Sequence, residues 1–171
     1  MEKPLLYVFA GLPGSGKTTL ATLLASTVGA AHVRVDTIEQ ALRDVCGLNV
    51  NDEGYRLAYR VAGEILRAHV SVVADSCNPV ESSRRAWEQV ARDAGATPVN
   101  IEVICSDPHE HRWRVEHRPA TVAGLRLPTW PDVERREYHA WTTERIVLDT
   151  AGQSEAACLA TLLTKLPGSE A

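Results

Sequence analysis

The most constraining feature of this chain is a glycine-rich octet near its N-terminus. Its consecutive members are Gly11, Leu12, Pro13, Gly14, Ser15, Gly16, Lys17 and Thr18, and Thr19 follows them. The apolar stretch from Leu5 to Ala10 predicts a buried strand before the octet, and residues 19–28 predict a short helix after it. Backbone N–H groups of such a loop and the dipole of the following helix converge on phosphate. The pattern therefore predicts a nucleoside triphosphate site, a P-loop.

Two side chains of the octet add chemistry that the backbone lacks. Lys17 can reach the β- and γ-phosphates, and the Thr18 hydroxyl can ligate Mg²⁺. We therefore expect the segment from Gly11 to Thr19 to hold ATP, with Thr18 at the magnesium ion. The alternative is a turn of glycine and proline that only joins a strand to a helix. Such a turn explains neither the presence of the lysine nor the strand and helix patterns on its two sides.

Length and composition favour one ordinary globular domain covering residues 1–171. The chain has 171 residues, 44% of them hydrophobic and 23% charged, with a net charge of −4. This charge does not indicate tight binding to duplex nucleic acid, although a local basic groove stays open. The four cysteines are scattered, and we find neither a signal peptide nor a membrane span. We expect a cytoplasmic protein, monomeric or dimeric.

Strand and helix patterns alternate along the chain, which is typical of a parallel sheet. The expected strands are residues 5–10, 31–35, 70–74, 99–105 and 146–148, and the expected helices are residues 19–28, 37–46, 53–69, 81–94, 107–117, 131–141 and 154–165. We predict a three-layer α/β sandwich, with about five parallel strands and helices on both faces. Ligands of such sheets bind at the carboxyl ends of the strands.

Two carboxylates follow predicted strands and should lie at that edge. Asp36 can accept the proton of an attacking hydroxyl, although Asp36 and Glu39 also fit a capping box that only starts a helix. Asp75 can hold Mg²⁺ through water or hydrogen-bond Thr18, and its alternative role is in a turn with Asn78. We expect Asp36 to act on the acceptor and Asp75 to serve the metal.

Arginines are concentrated on the fifth predicted helix and the loop of residues 118–130 behind it. They are Arg112, Arg114, Arg118 and Arg126. Arg114 and Arg118 are four residues apart, so they share a helix face, and a mobile arginine can stabilise charge on a transferred phosphoryl group. We predict a short helical lid over about residues 112–141. The alternative is a solvated charged face.

Other residues have weaker signals. His109, His111 and His117 fit packed or solvated histidines better than a metal site, and Trp130 and Trp141 fit packing at the base of the lid. Residues 149–153 follow the last strand and can line the adenine. The expected acceptor pocket lies between Asp36 and residues 49–59, where Tyr55, Arg56 and Arg60 supply polar contacts.

With these residues in place, the chain resembles the small P-loop kinases of the polynucleotide-kinase-like group, which are often grouped as AAA-family predicted kinases. Gluconate kinase, chloramphenicol phosphotransferase and the zeta toxins are relatives of this kind. The resemblance rests on the octet, Val35-Asp36, Val72 to Pro79, Arg114 to Arg118, and Ile146 to Thr150. It implies that Asp36 activates the acceptor and that Arg114 and Arg118 contact nucleotide phosphates.

The function expected from the sequence is ATP-dependent transfer of a phosphoryl group to a hydroxyl of a small molecule. Lys17, Asp36, Arg114 and Arg118 are the expected catalytic residues. One alternative is a kinase of nucleic-acid 5′-hydroxyl ends, with a basic groove built by Arg56, Arg60, Arg84 and Arg85. Another is a switch or scaffold module that binds ATP without a dedicated acceptor.

Overall fold

The strands form one parallel sheet. The structure is a computed structural model, and it describes residues 3–168. Its strands are β1 (Leu5–Ala10), β2 (Ala31–Arg34), β3 (Val72–Asp75), β4 (Thr97–Ile104) and β5 (Ile146–Asp149). Within the described range they make a 5-stranded sheet in the order β2-β3-β1-β4-β5, with every neighbouring pair parallel. This confirms the predicted sheet.

Helices cover both faces of the sheet. They are α1 (Lys17–Val28), α2 (Val35–Cys46), α3 (Glu53–Arg67), α4 (Glu81–Asp93), α5 (Pro108–His117), α6 (Trp130–Glu134) and α7 (Glu155–Lys165). On one face, Leu24 of α1 and Leu162 of α7 are buried against the sheet. On the other face, Leu66 of α3 and Trp87 of α4 are buried against it. The predicted three-layer architecture is therefore confirmed.

Strand β1, at the centre of the sheet, is apolar throughout because both faces of the sheet are covered there. In β1, every residue after Leu5 is buried.

Helix starts follow the expected capping chemistry at two positions. The Asp107 side chain accepts from the backbone N–H groups of His109 and Glu110 at α5, and Ser154 accepts from Ala157 N at α7.

Two local expectations were wrong. Strand β2 ends at Arg34, so Asp36 lies in the first turn of α2 rather than after a strand, and the N-cap is Arg34 without a side-chain hydrogen bond. The capping box at Asp36 is therefore absent. Helix α6 ends at Glu134 instead of residue 141, because the chain beyond it bonds to the body of the domain, for example from His139 N to Pro79 O at 2.8 Å.

Among residues 3–168, no helix has both the length and the apolar character that crossing a membrane requires.

Candidate functional site

The octet follows the carboxyl end of β1, and its last two residues, Lys17 and Thr18, begin α1. Gly16 is the N-cap of α1 at φ 94°, a left-handed conformation that favours glycine. This conformation lets the helix start at Lys17, two residues earlier than expected, so that the first free N–H groups of α1 face the loop. The Lys17 side chain is buried and lines the large cavity beside the octet.

Thr18 and Asp75 meet below the octet, as the sequence predicted. Thr18 Oγ1 donates to Asp75 Oδ1 at 3.2 Å, and Asp75 is 2% exposed. The other carboxylate oxygen, Oδ2, lies 3.2 Å from His32 Nε2 and 3.8 Å from Arg34 Nε. The pairing of β2 with β3 explains this cluster, since Arg34 and Asp75 are partners in the register.

Arg114 is held beside the octet by three acceptors. Its Nη2 donates to Glu110 Oε1 at 2.5 Å and to Thr150 O at 2.9 Å, and its Nη1 donates to Thr150 Oγ1 at 2.7 Å. Glu110 Oε2 accepts from Gly152 N at 2.8 Å, which joins α5 to the loop after β5. The guanidinium is therefore fixed in direction before any ligand arrives.

Arg118 follows on the same side of α5 but lacks such anchoring. It is half-buried and lines the cavity, and its Nε atom is buried without a hydrogen-bond partner. Burial lowers the pKa of Arg118, and the nearby charge of Arg34 lowers it further, whereas Asp36 opposes both. Arg34 and Asp36, at the start of α2, are therefore among the charged groups that act on Arg118.

One cavity of about 860 Å³ brings most of the expected site residues together. Its lining residues include Gly14, Gly16, Lys17, Thr18, Thr19, Arg34, Arg114, Arg118, Thr121, Leu127, Thr150, Gln153, Ser154 and Glu155. Asp36 does not line the cavity. Its Oδ2 lies 3.6 Å from Nη2 of Arg34, and Arg34 does line the cavity. Asp36 is therefore at the edge of the site, with 45% of its side chain exposed.

We expected the acceptor pocket between Asp36 and residues 49–59, and no residue of that segment lines this cavity. Tyr55 packs in the apolar cluster beneath the sheet, and its hydroxyl accepts from Asn78 N at 3.3 Å. Burial raises the pKa of Tyr55, as expected for a packed phenol. Arg56 and Arg60 are exposed on α3.

The alternative function, a kinase of nucleic-acid ends, placed Arg84 in a basic groove, and the burial of this side chain contradicts that placement. The side chain is 3% exposed, and its Nε donates to Asn78 O at 2.9 Å. Its guanidinium lies 4.2 Å from the ring centroid of Trp141 and 4.9 Å from that of Tyr138. Arg84 therefore anchors the segment that follows α6, and Trp141 packs there.

The remaining predicted residues divide between the site and its support. His111 is buried and its Nε2 donates to Pro13 O at 2.8 Å, while Trp130 packs edge-on against it at 5.2 Å. Asp149 accepts from Ser106 N and Ala151 N, and these bonds hold its pKa below the usual range. It shapes the loop after β5, whereas Thr150 and Gln153 reach the cavity.

Sequence reasoning missed Arg34 and Glu110. The alternation of β2 was the available signal for Arg34, because His32 and Arg34 share one side of the strand and both reach Asp75. Glu110 was expected only as part of a helix start. Its spacing of four residues from Arg114 was the signal that the two side chains meet.

Comparison with known families decides the classification of the chain. A family described as an AAA domain matches residues 6–128, which is most of the chain. The protein belongs to this AAA domain family. No curated protein sequence matches the chain.

Solved structures share the fold of this AAA domain over nearly the whole chain. Kti12 of Chaetomium thermophilum, in complex with ADP-AlF3, has a TM-score of 0.70 at 19% identity, covering 95% of this chain and 100% of that one. The Mycobacterium tuberculosis APS kinase CysC, in complex with AMPPNP and APS, has a TM-score of 0.69 at 18% identity, covering 95% and 97%. A gluconokinase from Sinorhizobium meliloti has a TM-score of 0.60 at 20% identity, covering 95% of each chain. The AAA domain therefore has the fold of small P-loop kinases.

Proposed function

We propose that this protein is an ATP-dependent phosphotransferase that moves the γ-phosphoryl group to a hydroxyl of a small molecule. The observation that carries the proposal is the convergence of Lys17, Thr18 and Arg114 on one cavity at the N-terminus of α1. Positive charge and backbone N–H groups at one end of a cavity fit a polyphosphate. The gluconokinase and the APS kinase among the structural relatives support a kinase reaction.

The nucleotide phosphates fit the octet. The N-terminus of α1 offers backbone N–H groups, and Lys17 adds a flexible cation that is already directed into the cavity. Arg114 Nη1 lies 3.8 Å from the position that a Cβ at Gly16 would occupy, so the guanidinium is next to the loop that would hold the phosphates. These groups would neutralise charge as it spreads over the γ-phosphoryl oxygens.

The residues below the octet also fit a magnesium ion. Thr18 Oγ1 and Asp75 Oδ1 are adjacent oxygens, and hydroxyl and carboxylate oxygens are the ligands that Mg²⁺ takes. His32 and Arg34 lie at the other carboxylate oxygen, which leaves Oδ1 for the metal side. Bound there, the ion would supply charge neutralisation at the β- and γ-phosphates. Thr18 would ligate it directly and Asp75 would hold one of its waters.

Asp36 is the proposed acceptor of the substrate proton. The hydroxyl oxygen of the small molecule forms a bond to the γ-phosphorus of ATP. The bond from that phosphorus to the bridging oxygen breaks, and ADP leaves with the electron pair. The hydroxyl proton passes to the Asp36 carboxylate. Arg34, with Nη2 at 3.6 Å from Asp36 Oδ2, orients that carboxylate from the cavity side.

Nucleic acid is the less favoured acceptor. The proposed basic groove needed Arg84, and this side chain is committed to Asn78 and Trp141 in the interior. A polynucleotide would also require a cationic track beyond the cavity, and the net charge of −4 does not favour one.

The first experiment measures ADP release with Mg·ATP across metabolites, antibiotics and oligonucleotides. We expect turnover that rises with one class of small hydroxyl compound and disappears in Lys17→Ala. Slow hydrolysis that no acceptor stimulates would contradict the kinase proposal and favour a nucleotide switch. Stimulation by oligonucleotides alone would replace the small-molecule acceptor with a nucleic-acid end.

A second pair of variants tests the proton acceptor. Asp36→Asn should retain nucleotide binding and lose at least about 100-fold in transfer, because the amide cannot accept the proton. Asp44→Asn, an exposed position on the same helix, is the matched control and should behave like the wild type. Full transfer by Asp36→Asn would assign the base elsewhere.

A further inference from the structure

The carboxylate of Glu110 lies next to the positive charge of the site. Glu110 is in the first turn of α5, four residues before Arg114, and 31% of its side chain is exposed. Glu110 does not line the cavity, but Arg114, its ion-pair partner, does. A negative charge this near to a phosphate site weakens nucleotide binding by repulsion. A carboxylate at this position is therefore unfavourable for nucleotide binding unless it serves another purpose.

The two carboxylate oxygens of Glu110 join two separate elements. Oε1 accepts from Arg114 Nη2 at 2.5 Å, and Oε2 accepts from Gly152 N at 2.8 Å. Gly152 belongs to the loop after β5, and Thr150 of the same loop also bonds to Arg114. The contacts of Glu110 therefore close a ring that runs from α5 through Arg114 and Thr150 to Gly152 and back to α5.

The N–H groups of Arg114 are divided between this ring and the cavity. A guanidinium has five N–H donors, two of them on each Nη atom. Both N–H groups of Nη2 are used, one by Glu110 and one by Thr150 O at 2.9 Å. Nη1 uses one N–H for Thr150 Oγ1 at 2.7 Å, and within residues 3–168 its second N–H and the Nε N–H have no partner. Nη1 lies 3.8 Å from the Cβ position of Gly16, so an unused donor is next to the octet.

We infer that Glu110 is a positioning residue for phosphoryl transfer, which acts by directing one Nη1 N–H of Arg114 at the γ-phosphoryl group. This inference rests on the proposed function and adds a residue to the same site. An unrestrained arginine side chain has many rotamers, and ordering it during the reaction would raise the barrier. A donor that is already aimed at the developing charge avoids that cost.

The same ion pair limits how strongly Arg114 attracts the nucleotide before transfer. Glu110 offsets part of the guanidinium charge, which weakens the attraction of Arg114 for any phosphate in the cavity. The fixed direction of Nη1 benefits the transition state most, because charge is then spreading over the γ-phosphoryl oxygens. Only interactions that are stronger in the transition state than in the ground state accelerate the reaction. Loss of Glu110 should therefore impair transfer more than nucleotide binding.

Helix α5 also contains a matched ion pair outside the site. Arg112 Nε and Glu116 Oε1 lie 2.8 Å apart at the same spacing of four residues, with 59% and 41% of their side chains exposed. Neither residue lines the cavity. Glu116→Ala therefore removes the same kind of contact from the same helix and is the control for Glu110→Ala.

The binding test compares Mg·ADP alone with Mg·ADP and aluminium fluoride, which imitates the transferred phosphoryl group without needing an acceptor. By calorimetry, Glu110→Ala should change the Kd of Mg·ADP by less than about threefold and weaken the fluoroaluminate complex at least about tenfold. Glu116→Ala should change neither. Equal weakening of both complexes, or an unaltered fluoroaluminate complex, would overturn the inference. If circular dichroism shows that Glu110→Ala does not fold, Glu110→Gln, which keeps the shape and one acceptor oxygen, should show the same contrast with a smaller loss.

A double-mutant cycle with Arg114→Ala gives a readout that a merely structural role would not produce. If Glu110 acts through Arg114, Glu110→Ala in the Arg114→Ala background should change the affinity for the fluoroaluminate complex by less than about twofold. A loss in that background as large as in the wild type would show that Glu110 acts separately, through Gly152. That result would overturn the positioning role.

Turnover separates this inference from the proposed function. With an acceptor that stimulates ADP release, Glu110→Ala should lower kcat at least about tenfold and leave the KM for ATP within about threefold. Acceptor-dependent turnover that Glu110→Ala leaves unchanged would support the kinase and overturn the positioning role. Fluoroaluminate binding that depends on Glu110 and Arg114, in a protein that no acceptor stimulates, would support the positioning role and contradict transfer to an acceptor.

Discussion

Thr150 connects Arg114 to the octet through a single hydroxyl. Its Oγ1 accepts from Arg114 Nη1 at 2.7 Å and donates to Ser15 O at 2.8 Å. Thr150 lies directly after β5 and is 4% exposed, so water does not compete for either bond. The end of the last strand therefore sets the distance between the α5 arginine and the nucleotide loop, although 135 residues of sequence separate Ser15 from Thr150.

Thr150→Val should weaken nucleotide binding with a small effect on folding. The valine side chain keeps the shape of threonine, but it cannot form the hydrogen bonds that Thr150 Oγ1 makes with Ser15 and Arg114. Arg114 therefore loses one of its three acceptors. We expect about a tenfold increase in the Kd of Mg·ATP and a loss of about 1–2 kcal/mol in unfolding free energy. Fluorescence titration and urea denaturation measure these quantities. Thr143→Val, at an exposed position, should change neither.

Gly14→Ala should damage the octet, whereas Gly29→Ala should not. Gly14 has φ 83°, and a Cβ there would lie 2.5 Å from Val115 Cγ2. Gly29 has a similar φ of 67° with nothing within 4 Å of the added carbon. Both variants strain the backbone by about 1 kcal/mol, but only Gly14→Ala also displaces α5 from the loop. We expect nucleotide affinity to fall at least about tenfold in Gly14→Ala alone, and equal affinities would refute this reading of the contact.

Asn78→Ala should be among the most destabilising substitutions outside the cavity. Asn78 is fully buried at φ 42°, its Nδ2 donates to Phe9 O at 2.7 Å, and its Oδ1 accepts from Trp87 Nε1 at 3.1 Å. Alanine leaves both partners unpaired in the core, which should cost about 3 kcal/mol or more of unfolding free energy. Urea denaturation measures the loss. Asn49→Ala, at an exposed position, should stay within about 0.5 kcal/mol of the wild type.

Tyr138 should make the fold sensitive to alkali. Burial raises the pKa of Tyr138 from 10.0 to about 12, and the charge of Glu102, which accepts from its hydroxyl at 3.1 Å, contributes. The unfolded chain then loses its phenolic proton at lower pH than the folded one. The stabilisation is complete below pH 10 and falls as pH rises toward about 12, by up to about 1.4 kcal/mol per pH unit.

Tyr138→Phe removes this titration. Urea denaturation at several pH values between about 9 and 11.5 should show a shallower decline in unfolding free energy for the variant than for the wild type. The slope is the informative quantity, because the lost hydrogen bond to Glu102 lowers stability at every pH. Identical slopes in the two proteins would show that the phenol of Tyr138 titrates in the folded protein as it does in the unfolded chain.

The elements of the fold could be predicted because their signals are local. Continuous apolar runs identified β1 and β3, and glycine after a periodic run identified the end of α1. The errors fell where local patterns compete. Asp36 and Glu39 matched a capping box, but α2 follows β2 without a loop. Arg34 is both the last residue of β2 and the N-cap of α2, and its backbone is extended at φ −103°. Tertiary contacts likewise ended α6 early, since the chain after it bonds to Pro79 and Glu102.

The octet and its helix form one half of the site, and this half could be found from the sequence alone. Eight consecutive residues contain both its glycine-dependent backbone conformation and its cation, Lys17. The other half depends on side chains far apart along the chain. Arg34 meets Thr121 across 87 residues, and Arg114 meets Thr150 across 36. Only the parallel sheet order and the path of the segment after α5 bring these groups to one cavity. Hydrogen bonds between distant residues have no local periodicity, so the arrangement of the arginines became visible only once the strands were in register.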